Sequence, residues 1–519
     1  MKKSIILIIA ALLVLASCSD FTPKAPYEYA DDGTWEGIFS GFWHGMNENY
    51  VFWNVDDTDW DGVYRKYMPL FRDLGEYDNE DTSEDAARYF YDIVSGLSDG
   101  HLSVTVNLKN SMFEGGVEKF SIAPGYIRLA KQNGATDDAI FEAVYDKNDF
   151  GSNILPFLPP EVMREKTRNI LSYVYGLRFT KGTGSEIRDE ILLHSDYTNS
   201  EGKTVLLYSN GHASCETVSK DWGKVKYYPV SDVLGDNPSI NDCFSSWTLM
   251  IVLSTSRSSS DKNAYSTTIE SMAFAGITKD HGNTIPGIVY TTFSNFMFAG
   301  LIRSDHTKAG TYGYLSDFHD YKADPSVKGL VVDVRGNTGG YNLDREYLFG
   351  DIMKEKHQFG YQRSKMGYNR LDFSSLLPVY IYPEAGNLQA IYGSSDATHL
   401  YDKPFAVITN CYSVSNAEMA AFLAKSMPKG CQIGGTTFGA QGTLAGDYLD
   451  LNAGSFTVGD YISQVYTPFA QVVDINGVSH EGKGCVPDIE VPFNKDDFEN
   501  GTDSRLQSAF DWVKSAIED

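Results

Sequence analysis

The chain is short of several things that would settle its class at once. Lys and Arg number 43 against 69 Asp and Glu, a formal net charge of −26 over 519 residues. That deficit excludes an electrostatic grip on nucleic acid or on an anionic membrane surface, which needs clustered cations. The 6 cysteines form neither a C-x-x-C pair nor a Cys/His zinc spacing, so no metal-built scaffold is indicated. G-x-G-x-x-G and the Lys-Ser/Thr of a P-loop are missing, which removes the dinucleotide and nucleoside-triphosphate classes. No G-x-S-x-G elbow sits between a strand and a helix, which sets an esterase aside. No internal repeat or low-complexity block stands out. What is present is a hydrophobic fraction of 42%, with 33 Tyr and 29 Phe, ample for packed cores. The length implies two or three domains at about 100–200 residues each.

The N-terminus is specific. Lys2 and Lys3 precede the apolar run Ile5 to Leu15, and Leu15-Ala16-Ser17-Cys18 follows. About 11 apolar residues are too few to stay in a bilayer as a spanning helix, and the flanks are those of a cleaved leader. The segment resembles bacterial lipoprotein signal peptides. It implies cleavage before Cys18, a diacylglycerol on the Cys18 thiol, and a place in the cell envelope, anchored to a membrane by that lipid. Five cysteines then remain, Cys215, Cys243, Cys411, Cys431 and Cys485, and an odd number cannot all pair within one chain. One disulfide is open to them, and the spacing does not choose its partners.

Residues 18–34 are polar and contain proline, as a tether would. From 35 to 101 the apolar residues recur at three and four (Phe39, Phe42, Trp43, Met46; then Val63, Tyr64, Tyr67, Leu70, Phe71), which predicts a helical bundle. Asp56-Asp57-Thr58-Asp59 reads as a turn entering a helix at Trp60, not as a calcium loop. Residues 102–285 are mixed, with strand candidates Thr204 to Tyr208 and Trp247 to Leu253 and a helix expected over Pro159 to Tyr175; they are taken as a β-rich middle domain. Beyond 286 the strands Gly287 to Phe293, Leu330 to Val334 and Phe405 to Ile408 alternate with helices. The expected class is therefore α/β in a multidomain, α+β setting: a helical N-terminal part, a β-rich middle, and an α/β sandwich core over 286–519 with a mixed sheet. A last helix is expected over Asp503 to Ile517.

Two turns carry chemistry. Phe405 to Ile408 leads through Ser413-Val-Ser415 into a helix beginning near Asn416, which puts Ser415 at a helix N-terminus, where free N–H groups stabilise a developing oxyanion. The plainer alternative is that Ser413 or Ser415 only caps the helix, with Glu418 completing a capping box. Arg335-Gly-Asn-Thr-Gly-Gly340 follows another strand, and the N–H of Gly339 or Gly340 would supply one oxyanion donor and Asn416 the second. Taken alone, such a glycine pair is more often simply a turn.

Asp333-Val-Arg-Gly-Asn-Thr-Gly-Gly340, Ser413-Val-Ser-Asn-Ala-Glu418 and Gly434-Gly-Thr-Thr-Phe-Gly439 together resemble the C-terminal processing and tricorn-like serine peptidases. The resemblance covers about 286–515 and, in outline, 36–101. It implies that Ser415 is the nucleophile. The processing branch places a lysine base directly after Thr-Phe-Gly, where this chain has Ala440, so the resemblance turns to the tricorn-like Ser-His-Glu branch. Ser98-Asp-Gly-His101 resembles that branch's Asp-Gly-His turn, which implies His101 as base. Glu481-Gly-Lys-Gly-Cys-Val-Pro-Asp488 resembles its Glu-x-x-Gly-x-x-Pro-Asp segment, which implies Glu481 as the partner that orients His101. His480 is the rival base. Gly100 stands where some relatives carry a serine, and Ser98 or Ser413 are the candidates to replace it. No cofactor or metal is expected, and no PDZ-type Gly-Leu-Gly-Phe loop is present. The implied activity is hydrolysis of polypeptides through an acyl-enzyme. The competing reading, prompted by Ala440, is an inactive peptide- or glycan-binding lipoprotein on the same fold.

Overall fold

The computed structural model describes residues 27–145, 150–159, 161, 205–208, 216–219, 223–228, 243–257, 265–280, 285–303, 307–383, 397–444, 454–496 and 503–518. The leader, Cys18, Cys215 and most of the helix expected over Pro159 to Tyr175 lie outside them.

Uninterrupted apolar runs form the centre. Gly329–Asp333 and Phe405–Thr409 are buried along their whole length and pair in parallel, with Gly430–Gly434 parallel on the far side of Phe405–Thr409. A strand covered on both faces has no polar side to alternate with, which is why these runs carry no period of two in polarity. The period appears instead in destination. Leu330, Val332, Phe405 and Val407 enter one core with Tyr314 and Phe318 of helix Lys308–Ala323 and Met419 and Leu423 of helix Asn416–Ser426. Val331, Ala406 and Ile408 enter the opposite core with Leu506, Phe510 and Val513 of helix Ser504–Glu518.

The sheet is mixed and runs Ile489–Glu490, Gly430–Gly434, Phe405–Thr409, Gly329–Asp333, Ile288–Phe293, Tyr265–Thr278, Phe244–Arg257, Val205–Tyr208, Gly223–Tyr228, Glu216–Ser219. The first five are parallel; Tyr265–Thr278 then pairs antiparallel to Ile288–Phe293 and begins a meander. Sheet continuity therefore runs straight through position 285. The region 102–285 is shared between two bodies: its later strands extend the core sheet, while Ser103–Lys109 and Val117–Ile122 form a separate four-stranded sheet with Ile462–Tyr466 and Phe456–Val458. A middle unit could be read from sequence only because the pairing partners of its first strands lie near residue 460.

That smaller sheet packs with helices Trp35–Asn49, Trp60–Leu74 and Ser83–Val94 around Trp35, Phe39, Phe42, Trp60, Phe71 and Phe90. Thr34 and Asp59 start the first two helices by accepting from the Gly37 and Gly62 N–H groups at 3.1 and 2.9 Å. Tyr412, Phe438 and Ala440 of the core domain are members of the same hydrophobic cluster. The helical part thus docks on the two segments that flank Ser415 in space. A third sheet, Leu377–Ile381, His357–Ser364, Ala470–Asp474, stands beside the core.

Candidate active site

Parallel strands deliver their carboxyl ends to one edge, and the two turns meet there. Asp333 and Arg335 close the first turn: the Arg335 guanidinium donates to Asp333 at 2.9 and 2.5 Å and to Asp503 at 3.0 and 2.7 Å. Asn337 ties the turns together. Its Nδ2 donates to the Phe293 carbonyl at 2.7 Å, and its carbonyl accepts from the Val414 N–H at 2.9 Å. Ser413 is spent in the same way, donating from Oγ to the Val334 carbonyl at 2.8 Å and accepting from the Asn410 N–H at 3.1 Å.

Ser415 has φ 57° and ψ −115°, the one non-glycine residue with positive φ among those described. An ordinary N-cap is extended, so a plain capping role does not account for this backbone, and strain of this kind accompanies functional positions. Glu418, on the first turn of the helix, holds it in place. Its carboxylate accepts from the N–H of Ser415 at 3.1 Å, Gly439 at 2.9 Å and Ala440 at 2.8 Å, from the Thr437 hydroxyl at 2.5 Å, and from the Gln441 amide. Burial pushes the Glu418 carboxyl up, and these donors oppose that.

The glycine turn lies against the serine. A Cβ on Gly339 would fall 2.6 Å from the Ser415 Cβ and 2.9 Å from the Asn416 nitrogen. The Gly339 N–H, however, donates to Asn337 Oδ1 at 2.9 Å and is not available to an oxyanion. This corrects the expectation placed on Gly339: an Asx turn has taken its hydrogen. The N–H groups of Gly340 and Asn416 have no acceptor among the described residues. Both residues line, with Ser415, His101, Gly100, Tyr126 and Gln441, a cavity of about 1000 Å³.

His101 reaches this cavity from the helical part. Its turn is fixed by Asp99, whose Oδ1 accepts from the His101 and Leu102 N–H groups at 2.8 and 3.0 Å and whose Oδ2 accepts from Thr467 at 2.6 Å. Asp56, within the acidic run before Trp60, accepts from the Ser98 N–H at 2.8 Å and the Tyr50 hydroxyl at 2.9 Å. A ring nitrogen of His101 and a carboxylate oxygen each of Asp99 and Glu481 lie within 4.8 Å of one another. Glu481 does not hydrogen-bond the ring. Its Oε1 accepts from the Gly100 N–H at 2.9 Å, and its Oε2 from the Gln441 and Gly442 N–H groups at 2.9 and 3.1 Å. His101 Nδ1 is buried without a partner. The expected His101–Glu481 contact is thus an approach rather than a bond, because the carboxylate is occupied by backbone donors. Three such donors also argue against Glu481 as a metal ligand.

Desolvation lowers the His101 pKa to about 4 and raises Asp99 to about 7 and Glu481 well above the usual carboxylate range. An imidazole kept neutral is competent to accept a proton. Arg128 sets the charge of this buried cluster. Its guanidinium, whose pKa burial lowers and Glu481, Glu418 and Asp99 raise, donates to the carbonyls of Ser98 at 3.3 Å and Phe438 at 3.1 Å. Nothing in its sequence neighbourhood marks Arg128; its role appears only once residues near 100 and 440 are brought together.

The remaining candidates fall elsewhere. His480 pairs with Asp474 at 3.0 Å and packs on Phe422, outside the cavity lining. Ala440 is fully buried in the cluster that docks the helical part, where a lysine ammonium would be stranded. A Cβ on Gly100 would meet the Gly439 carbonyl at 2.4 Å and the Ala440 Cβ at 2.6 Å, which excludes a serine there. The Ser413 hydroxyl is taken up by backbone partners and Ser98 does not line the cavity, so neither supplies a fourth catalytic hydroxyl. Gly96-Leu-Ser-Asp-Gly100 spells G-x-S-x-G, but it follows helix Ser83–Val94 and makes no strand-to-helix elbow.

Residues 288–491 match Peptidase family S41, and residues 31–78 match the Tricorn protease C1 domain. The chain is 27% identical over 206 residues to a protein of Sulfurisphaera tokodaii named as a Tricorn-like protease C-terminal subunit, a match that spans 40% of this chain and 19% of that one. It therefore spans about a fifth of the length of that curated relative. Among solved structures, a peptidase from Parabacteroides merdae is 17% identical, with 93% of this chain and 97% of that one covered at a TM-score of 0.47. Mature CPAF is 11% identical, with 93% and 98% covered at 0.47. Residues 288–491 are thus similar to a peptidase domain of family S41 and residues 31–78 to a tricorn-type segment; the roles of the residues rest on the geometry above.

Proposed function

We propose that this chain is a serine endopeptidase that hydrolyses polypeptides through an acyl-enzyme on Ser415, with His101 as the base and Glu481 as the carboxylate that steadies it. The observation that carries the reading is Ser415 itself: strained at φ 57°, at the start of helix Asn416–Ser426, and in the same cavity as His101. His101 takes the Ser415 proton, and the oxygen attacks the substrate carbonyl. The oxyanion settles on the N–H groups of Gly340 and Asn416, which the protein itself leaves without acceptors. The imidazolium then protonates the leaving amine, and water repeats the sequence on the ester. Imidazolium formation beside Asp99 and Glu481 is favoured by either carboxylate when ionised, and Nδ1 has an unmet hydrogen bond to offer.

The polypeptide substrate class is supported by the peptidase domain and by a cavity large enough for several residues. Membrane attachment through lipid on Cys18, and with it a position in the cell envelope, is supported by the leader sequence alone. Among the described residues no helix is long and apolar enough to cross a membrane.

A fluorophosphonate probe tests the mechanism. Labelling is expected in the wild type, absent in Ser415→Ala, and slowed at least a hundredfold in His101→Ala. Labelling that persists in Ser415→Ala overturns the nucleophile. A wild type that neither labels nor cleaves an unfolded protein returns the chain to the binding reading.

A further inference from the structure

The cavity carries a charge that the hydrolytic steps do not use. No carboxylate and no lysine is among the described residues that line it, although the chain as a whole is strongly acidic; Arg345 is its one guanidinium. Arg345 belongs to the short helix Asp344–Phe349 and is only 9% exposed. Its Nη1 donates to Asn416 Oδ1 at 3.0 Å, and its Nε has no acceptor. The Phe359 ring lies 5.1 Å from the guanidinium carbon. No ion pair joins Arg345 to a carboxylate among the described residues; Glu346 is near enough only to oppose, in part, the lowering of its pKa by burial.

A buried guanidinium with one neutral acceptor and an unmet donor is poorly compensated for its desolvation. Arg presents its donors as a planar fork, and the group that satisfies a fork is a carboxylate. The location of the fork follows from Asn416. That residue offers its N–H to the oxyanion hole and its carboxamide to Arg345. A carbonyl seated in the hole and the side chain of the residue immediately before the scissile bond belong to one substrate residue, so that side chain is the one carried toward Arg345. Met297, Met419 and Val472 give the same cavity apolar walls against which methylenes can lie.

We propose that Arg345 makes this site select substrates with an acidic residue, Glu or Asp, immediately N-terminal to the scissile bond. The proposal rests on the peptidase reading for its catalytic consequence, but not for binding.

Two measurements separate them. Fluorogenic peptides that differ only at that residue, as Glu, Gln, Leu or Lys, are compared by kcat/KM in the full chain. Glu is expected to exceed Gln by about ten- to a hundredfold, the range of a charge-assisted hydrogen bond, and Lys to be poorest. In Arg345→Met the Glu/Gln ratio is expected to fall to near one; the ratio is the readout because Arg345 also supports Asn416. Arg345→Lys should keep a reduced preference. In parallel, binding of the uncleaved Glu and Gln peptides to Ser415→Ala is followed by fluorescence anisotropy. Tighter binding of Glu, lost on adding Arg345→Met, supports the site even if the wild type never labels with fluorophosphonate, an outcome that would sink only the peptidase reading. A Glu/Gln ratio at or below one in the wild type and in Ser415→Ala, or one unchanged by Arg345→Met, overturns the proposal.

Discussion

Replacing Gly339 with alanine separates two costs that usually travel together. Gly339 has φ 83°, and the new Cβ would lie 2.6 Å from the Ser415 Cβ, 2.8 Å from the Val414 carbonyl oxygen and 2.9 Å from the Asn416 nitrogen. Real Cβ contacts do not come that close, so the serine turn must move. Gly336, three residues earlier, has φ 67° and nothing within 4 Å of its Cβ position. Alanine at either site incurs about 1–2 kcal/mol for the left-handed backbone. Only Gly339→Ala adds the collision with Ser415 and with the Asn416 nitrogen, the proposed nucleophile and oxyanion donor. Loss of one such donor costs about 3–4 kcal/mol of transition-state stabilisation, a hundred- to a thousandfold in rate. The comparison is the rate of fluorophosphonate labelling and of cleavage of an unfolded protein, alongside thermal melting of both variants. Gly336→Ala should lose a few degrees in Tm, since about 1 kcal/mol shifts a domain of this size by about 2–4 °C, and Gly339→Ala should lose more because the collision adds to the backbone cost. Gly336→Ala should keep most of its labelling rate, and Gly339→Ala should lose at least two orders of magnitude. Equal losses in the two variants, or wild-type labelling by Gly339→Ala, would refute the contact between the glycine turn and Ser415 as a determinant of chemistry.

Other consequences are as direct. Because burial lowers the His101 pKa to about 4, part of kcat/KM should persist below the Asp99 step near 7 and be lost only through about 4; complete loss of activity by pH 5 would show that the base is a solvated histidine. The same shift means the folded chain binds fewer protons at His101 than the unfolded chain between about 4 and 6.5, so this group removes stability as pH falls through that window, read by urea unfolding at each pH. Glu418→Gln trades an acceptor for five donors against an amide with one oxygen, and should cost about 2–4 kcal/mol of stability and abolish labelling. Arg128→Met removes the cation that faces Asp99, so its stability loss should be larger at pH 8 than at pH 5, where Asp99, whose pKa burial raises to about 7, is protonated; a pH-independent loss would assign Arg128 to packing. Gly100→Ser should fail to label, since its Cβ meets the Gly439 carbonyl at 2.4 Å.

What the sequence disclosed depended on how far apart the partners lie. The strands Gly329–Asp333 and Phe405–Thr409, the helix after Ser415 and the glycine turn are each contained in a short window, and their apolar runs and turn residues announce them. Pairings across the whole chain leave no such trace. Ser103–Lys109 pairs with Ile462–Tyr466, and nothing local in either stretch names the other, so residues 102–285 read as a unit that the sheets divide. The same limit governs the site. Ser415, His101 and Glu481 could be placed by motif, but whether Glu481 bonds the ring or the backbone beside it is settled only by the approach of the turn at 439–442. Gly339 illustrates the finer limit: the motif marked the right turn, and the Asn337 side chain, two residues away, took the hydrogen. Arg128 and Arg345 carried no motif because their function is to be near residues distant in sequence.

Ala440 gains its meaning from this long-range assembly. With a lysine base after Thr-Phe-Gly, nucleophile and base would sit on adjoining elements of one domain, and the helical part could loosen without separating them. Here position 440 is an apolar member of the interface, its N–H given to Glu418 and its Cβ pressed against Gly100. In the proposed mechanism the base arrives instead on the docked part, through a turn that Glu481 holds by the Gly100 N–H and Arg128 holds by the Ser98 carbonyl. That mechanism makes catalysis conditional on docking. A substitution between the two parts that lies outside the cavity lining, such as Arg370→Ala, which removes the guanidinium that donates to Asn47 at 2.8 Å and to Asp61 at 2.5 Å, should uncouple the two. It should lower peptide turnover more than it lowers the melting temperature of the core sheet. If turnover and core stability fall strictly together, His101 is not delivered by docking and the base must be sought within the core domain.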